Sequence, residues 1–388
     1  MKHNVVIAFL DKEWPPDHSF VDGLLAAKLL REQDITVRLV VSRHDSNKQS
    51  SARRYRYAAC LPILHFRRAF GRFKNFWIAV KIIAYLSMRE KDRGHRVVLF
   101  VRNDPVCLLA GSLMRKRFDR LIFQSSFPHE EYSGTIVKRV IAKVLYRFAG
   151  RNVDIVIGVS PEGVARVRTL CPFAESGECI PLLSDLPFEE ISCRAPFSNS
   201  GNGPKFIYIG THHPSRELEN VLAAIVQATR AGAVARYLFV GATSDDESRL
   251  SRVKGVSSLV QKRIIEFKRP VRRKEIPKLL SECDIGITLI PPKPVYYESS
   301  PTKLAEYMGA GLAVLASQGI PMQERFVEES EGGILVEWDI NKMSKAIMSL
   351  CEDAEAVLRM KSCAKLYAIE KLQYSNYMSC FIRLVGLN

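Results

Sequence analysis

The 388-residue chain lacks any apolar run long enough to cross a bilayer. The nearest, Phe76 to Leu86, is interrupted by Lys81 and falls short of the roughly 18 residues that a spanning helix requires. It also lacks a C-x-x-C pair: its nine cysteines, at 60, 107, 171, 179, 193, 283, 351, 363 and 380, follow no zinc-ligand spacing. An odd cysteine count suits no complete disulfide framework, so a reduced, cytoplasmic protein is expected. No Asp-x-Asp pair is present to seat a divalent metal, and neither a metal nor another cofactor is expected. The run Val5 to Leu10 is too short for a secretory leader and is stopped by Asp11, which reads as a buried strand. No RRM, helix-turn-helix or zinc-finger signature appears, so nucleic acid is not an expected partner.

Acidic residues are missing altogether between Ser46 and Arg89, where ten lysines and arginines lie. Residues 1–195 carry 32 basic and 20 acidic side chains, so most of the chain's net charge of +16 belongs to its first half. Such an excess selects an anionic partner. Phe66, Phe70, Phe73, Trp77, Val80 and Ala84 recur at helical spacing, with Arg67, Arg68, Arg72 and Lys74 alongside. Aromatics among acyl chains and cations on head groups are what an interfacial helix needs, so Phe66, Arg67, Arg68, Phe70, Arg72, Phe73, Lys74 and Trp77 are expected to face an anionic membrane surface. A core-packed helix with a solvated basic face would show the same pattern, and single-stranded nucleic acid is a third reading.

With 47% hydrophobic and 25% charged residues the composition is that of a globular protein, which excludes disorder and collagen-like structure. Apolar runs at Val5 to Leu10, Val37 to Val41, Arg96 to Arg102, Arg120 to Gln124 and Asp154 to Val159 alternate with helical patterns at Phe20 to Leu30, Cys107 to Arg115 and Ile136 to Phe148. This alternation predicts a parallel sheet covered on both faces. The Pro-, Gly-, Ser- and Asn-rich stretch 193–204 reads as a linker. Beyond it the alternation restarts at Phe206 to Ile209 and runs to Gly333 to Val336. The expected α/β organisation is therefore an N-terminal Rossmann-like domain over 1–195 with a basic membrane-facing segment, a linker over 196–204, and a second domain over 205–365. Residues 366–388 are expected to form a helix returning to the first domain. Ligand is expected in a cleft where strand carboxyl ends point.

The segment richest in chemistry is Tyr297-Glu-Ser-Ser-Pro-Thr-Lys-Leu-Ala-Glu-Tyr-Met-Gly-Ala-Gly-Leu-Ala-Val-Leu-Ala-Ser317. Pro301 suits the first position of a helix, and Ser299 or Ser300 suits its cap. The free N–H groups of that first turn, at Ser300, Thr302 and Lys303, together with the Lys303 charge, would receive a phosphate. Glu298 and Glu306 flank that turn, and carboxylates so placed suit sugar hydroxyls rather than phosphate.

Glu298 and Glu306, separated by seven residues, with Pro-Thr-Lys-Leu between them and Glu306-Tyr-Met-Gly-Ala-Gly-Leu-Ala-Val-Leu-Ala-Ser317 following, resemble the signature of the retaining glycosyltransferases of family 4. Tyr208-Ile-Gly210 with Arg216, Phe239-Val-Gly-Ala242, Cys283-Asp-Ile-Gly286 and Gly332-Gly-Ile-Leu-Val336 stand in the order that family shows. The resemblance implies a GT-B fold, two Rossmann-like domains with parallel sheets facing a central cleft. It also implies metal-independent transfer of a sugar from a nucleotide-diphosphate donor, with retained configuration.

By the same resemblance Glu298 would hold the donor sugar and Glu306 the nucleotide ribose. Gly210, Arg216, Ser299, Ser300, Pro301, Thr302 and Lys303 would surround the diphosphate, and His129 is the candidate for the first-domain histidine that contacts the sugar. Two family features are missing. The first βα loop, Asp11 to Gly23, has no glycine pair, and Thr211 stands directly after Gly210. The basic stripe suggests a lipid-linked acceptor or growing cell-surface glycan, as in lipopolysaccharide and other polysaccharide assembly, at the inner face of the cell membrane. A sugar-nucleotide epimerase of the same fold and a basic nucleic-acid-binding protein are the competing readings.

Overall fold

A computed structural model of the chain describes residues 3–13, 18–42, 58–64, 71–132, 134–192, 197 and 203–386. Two compact units divide it: Met1–Asp185 with Glu298–Ser300 and Tyr374–Asn388, and Leu186–Tyr297 with Pro301–Gln373. Residues 186–192 group with the second unit and 298–300 with the first. Most of the expected linker, 196 and 198–202, lies outside the described residues.

The first unit contains seven strands: β1 (Asn4–Glu13), β2 (Ile35–Ser42), β3 (Ala58–Leu64), β4 (Arg96–Arg102), β5 (Arg120–Ser125), β6 (Ile155–Gly158) and β7 (Ser176–Cys179). They form one parallel sheet in the order β3-β2-β1-β4-β5-β6-β7. Residues 4–10 of β1 are all buried, as a strand covered on both faces must be. The strand order reverses between β1 and β4, the position where doubly wound sheets open a crevice at their carboxyl ends. Two edge strands fall outside the expected set. β3 contains Pro62, which an edge tolerates because one side of the ladder needs no N–H donor, and β7 is the polar Ser-Gly-Glu-Cys.

Helices Gly71–Asp92, Pro105–Leu113, Ile136–Ala149 and Pro161–Leu170 cover one face of this sheet. Ala79, Ile83, Leu108, Tyr146 and Val167 share a core cluster with Leu99 and Leu121. On the other face Phe20 stacks on Phe100 at 6.2 Å, and Phe381 of the C-terminal helix Ser375–Val385 meets Phe100 edge-on at 6.1 Å. The helix expected over Phe20 to Leu30 is broken into a π-helical turn, Val21–Leu25, and a short α-helix, Lys28–Glu32. Gly23 lies against Tyr374 so closely that a Cβ would sit 2.2 Å from the ring.

Helix Gly71–Asp92 packs through Asn75, Ala79, Ile83 and Leu86, a face offset from the expected stripe, and leaves Phe73 68% and Trp77 50% exposed. Arg72 and Lys74 are also exposed, whereas Phe66, Arg67, Arg68 and Phe70 lie outside the described residues. Among the described residues no helix is long and apolar enough to cross a membrane.

The second unit has six parallel strands: β8 (Lys205–Ile209), β9 (Arg236–Val240), β10 (Ile265–Lys268), β11 (Ile285–Thr288), β12 (Ala313–Ser317) and β13 (Gly333–Val336). Their order is β10-β9-β8-β11-β12-β13, again reversing beside the first strand, here between β8 and β11. Helices Leu218–Arg230 and Ile340–Glu352 bury their apolar faces on one side. On the other side Tyr307 of helix Thr302–Gly309 packs on β11 at Gly286, where a Cβ would come within 2.2 Å of the ring.

Candidate functional site

In the second unit the carboxyl end of β8 meets the start of helix Thr302–Gly309. The Lys303 ammonium lies 4.1 Å from the centre of the Tyr208 ring, a cation–π contact, and a Cβ on Gly210 would sit 3.2 Å from Lys303 Nζ. Gly210 also has φ +148, a backbone conformation that favours glycine. Arg216, on the 3₁₀ turn Pro214–Arg216, lies with its guanidinium 4.7 Å from the Tyr296 ring centre. Burial first, and then the Arg216 charge, push the Lys303 ammonium down to about 7 against the pull of Glu306. Among the described residues neither Lys303 nor Arg216 makes an ion pair with an acid. Two neighbouring cations left in this state are complementary to a polyanion.

Glu306, one helical turn beyond Lys303, is buried and accepts a hydrogen bond from Arg273 Nη1 at 3.0 Å. No spacing rule in the sequence connects Arg273, on the separate turn Arg273–Glu275, to Glu306. The start of the helix differs from expectation. Thr302 is the first helical residue, Pro301 precedes it at the cap position, and no side chain caps the turn. Ser300 is held elsewhere: its Oγ accepts from the Leu182 amide at 2.9 Å and donates to the Leu182 carbonyl at 3.2 Å. Ser299 is half-buried and, like Ser300 and Glu298, belongs to the first unit. Proline's ψ of 88 explains the shift, because an extended Pro301 cannot continue a helix backwards to serine.

In the first unit Glu298 is anchored at both ends. Its carbonyl accepts from Ser160 Oγ at 3.1 Å, and that Ser160 hydroxyl also caps helix Pro161–Leu170 by accepting from the Gly163 amide at 3.0 Å. Its carboxylate accepts from Arg166 Nε at 2.6 Å. Arg166 also pairs with buried Glu130 and donates through Nη2 to Ser125 Oγ at 2.8 Å. Burial pushes the Glu298 carboxyl up; Arg166 opposes this, and Glu130 and Glu131 add to it. The motif segment marks Glu298 but neither Arg166 nor Glu130, which come from helices far away in the chain.

Arg166→Met removes the cation shared by two carboxylates in a poorly solvated place. Breaking one partner of a buried pair costs about 3–5 kcal/mol. Denaturant unfolding should show a loss of that order, and an unchanged midpoint would contradict the network.

His129 opens the short helix His129–Tyr132 after β5. It lines a cavity of about 320 Å³ together with Asp11, Arg72, Asp104 and Lys138. Burial lowers the affinity of its imidazole for a proton, with Asp11 and Asp104 opposing and Arg72 and Arg102 adding, so the ring is neutral near pH 7. The cavity's acids are fixed in place. Asp11, at the end of β1, receives Arg102 Nη1 at 2.6 Å and Asn103 Nδ2 at 2.8 Å from the end of β4. Asp104 caps helix Pro105–Leu113 through the Val106 and Cys107 amides. The loop that lacks a glycine pair thus contributes a salt-bridged carboxylate at its start.

Residues 203–353, which include Gly210, Arg216, Lys303 and Glu306, match the family model described as Glycosyl transferases group 1. No match is found among curated proteins. Over nearly its whole length the chain is similar in structure to sucrose-phosphate synthase from Thermosynechococcus elongatus, at 15% identity, 98% coverage of each chain and a TM-score of 0.71. It is similar to Anabaena HepE in complex with UDP and glucose, at 15% identity, coverage of 99% of this chain and 100% of that one, and a TM-score of 0.72. It is also similar to WaaG, a glycosyltransferase involved in lipopolysaccharide biosynthesis, at 13% identity, coverage of 98% and 100%, and a TM-score of 0.66. The fold is the GT-B fold that the motif segment implies, and these findings do not favour an epimerase.

Proposed function

We propose that the protein transfers a sugar from a nucleotide-diphosphate donor to a hydroxyl acceptor, with retained anomeric configuration and without a metal. The observation that carries this reading is the mutual electrostatic influence of Lys303 and Arg216 beside Gly210, two cations that make no ion pair with an acid among the described residues, inside the segment matched by the transferase family model. HepE, a structure of the same fold, is known with UDP and glucose, which supports a nucleotide sugar as donor.

Negative charge builds on the departing diphosphate as the glycosidic bond breaks, so Lys303 and Arg216 lower the barrier by binding the transition state more tightly than the ground state. Thr302 and the backbone around Pro301 complete that cradle, with Ser299 and Ser300 shaping the chain before it. Glu306, steadied by Arg273, binds the ribose. Glu298 orients the donor sugar, and neutral His129 offers the sugar a hydrogen bond. An oxygen of the leaving phosphate takes the acceptor proton on the same face of the sugar, which accounts for retention without a dedicated base.

The acceptor in this reading is lipid-linked or a growing cell-surface glycan, met at the inner face of the cell membrane. Exposed Arg72, Phe73, Lys74 and Trp77 support that placement, as does the likeness to WaaG. A panel of nucleotide sugars tests the reading by thermal shift, since a ligand that binds only the folded state raises the melting temperature. At least one member is expected to raise it with chelator present. No shift with any member, or conversion of a donor to its epimer without acceptor, would overturn the proposal.

A further inference from the structure

Helix Ile136–Ala149 buries only Ala142, Tyr146 and Ala149. At 3.6 residues per turn those three lie on one side, and Ile136, Val137, Val140, Ile141, Val144 and Phe148 lie on the other. All six are exposed, Ile136 at 71% and Phe148 at 51%. An outward helix face is ordinarily polar, and a contiguous apolar stripe on it marks a surface that meets something. The helix carries Lys138, Arg139, Lys143 and Arg147 and no acidic residue.

Helix Pro105–Leu113 packs beside it and adds exposed Leu113, followed by Arg115, Lys116 and Arg117. On its other side that helix packs against Gly71–Asp92, with outward Phe73 and Trp77. Arg72 from one flanking helix and Lys138 from the other line the His129 cavity, so both helices begin at its mouth.

We propose that helix Ile136–Ala149 is an interfacial helix, whose apolar stripe enters an anionic lipid bilayer beside Phe73 and Trp77 and brings the lipid surface to the mouth of the His129 cavity. Charge selects this occupant. A second copy of the same face would set basic residues against basic residues, whereas an anionic bilayer offers acyl chains to the stripe and phosphates to the cations flanking it. What the cavity receives from the lipid rests on the sugar-transfer reading; the contact with lipid does not.

The test is cosedimentation of the full chain with vesicles of phosphatidylcholine alone and of phosphatidylcholine with phosphatidylglycerol, at low and high salt. Wild-type protein is expected to bind the anionic vesicles and to be released as salt rises. The double substitution Val140→Glu and Val144→Glu should weaken binding by about tenfold or more. Both positions are more than half exposed, so the melting temperature and its rise on adding nucleotide sugar should not change. Should that variant fail to fold, Lys143→Glu with Arg147→Glu supplies the same readout from the charged flank. Equal binding to neutral and anionic vesicles, unchanged binding by the folded variants, or an oligomer that the substitutions dissolve would overturn the inference. Wild-type protein that responds to nucleotide sugar but does not bind anionic vesicles would discard this inference alone; wild-type protein that binds the vesicles but responds to no nucleotide sugar would discard the sugar-transfer reading alone.

Discussion

Glu298→Ala is expected to reduce turnover about a hundredfold while leaving nucleotide affinity nearly unchanged. A reacting sugar displaced by about an ångström forfeits that much rate. Glu298 is held firmly enough to fix a sugar in place, since Ser160 grips its carbonyl, Arg166 its carboxylate, and Glu130 and Ser125 hold Arg166 in turn. Glu298→Gln keeps an acceptor for Arg166 Nε but not the charge, so its turnover should lie between alanine and wild type.

Because burial raises the Glu298 carboxyl above its ordinary range, the carboxylate is lost at a higher pH than for a solvated glutamate. The acid limb of the wild-type rate profile should therefore lie above pH 4.5, and the Gln variant should lack it. Rate and nucleotide affinity measured together decide the matter. Wild-type turnover in the alanine variant would remove Glu298 from the mechanism, and a large loss of nucleotide affinity would place it on the nucleotide instead.

Lys303→Gln should cost more, about a hundredfold to a thousandfold in turnover, because a charge aimed at the leaving diphosphate acts where charge develops. It should also weaken nucleotide binding. With its pKa near 7, Lys303 is about half protonated at neutral pH in the empty site, and a bound diphosphate favours the charged form. Binding then takes up a proton. Nucleotide affinity should hold below pH 7 and fall above it, by up to about tenfold per pH unit, in wild type but not in the Gln variant. A pH-independent difference between the two proteins would contradict this.

Stability runs the other way. The unfolded chain holds this proton up to its ordinary value of 10.5, whereas the folded chain gives it up near 7. Between those values the unfolded state binds more protons, so the cost of burying the ammonium is fully present below pH 7 and is relieved as pH rises toward 10.5. Ligand-free wild type should gain stability over Lys303→Gln across that window in denaturant titrations.

The parts of this protein that could be read from residue order are those governed by near neighbours. Apolar runs separated by helical patterns define buried parallel strands, and all of the strands but β3 and β7 follow from that signal. β3 is apolar throughout but contains Pro62, which argues against a strand, and β7 is polar; an edge position tolerates the first because it needs no full set of amide donors and the second because it needs no second apolar face. The spacing of Glu298, Lys303 and Glu306 marks the chemical segment for a similar reason: all three sit on one short stretch around a helix start.

What residue order could not supply is pairing across the chain and the choice of face. Arg166 reaches Glu298, and Arg273 reaches Glu306, only because within each unit the fold brings together elements far apart in the chain. In Ile136–Ala149 apolar residues lie on both sides, so periodicity alone announces a helix without saying which side is core. Packing chose the narrow side, where Ala142 and Ala149 let the helix approach its neighbours closely and the buried Tyr146 hydroxyl donates to the Asn103 carbonyl, and turned the broad side outward. Local sequence thus determined the elements and the reactive segment; the partners of each charge and the exposed faces were decided by the tertiary structure, because both depend on contacts between residues remote in the chain.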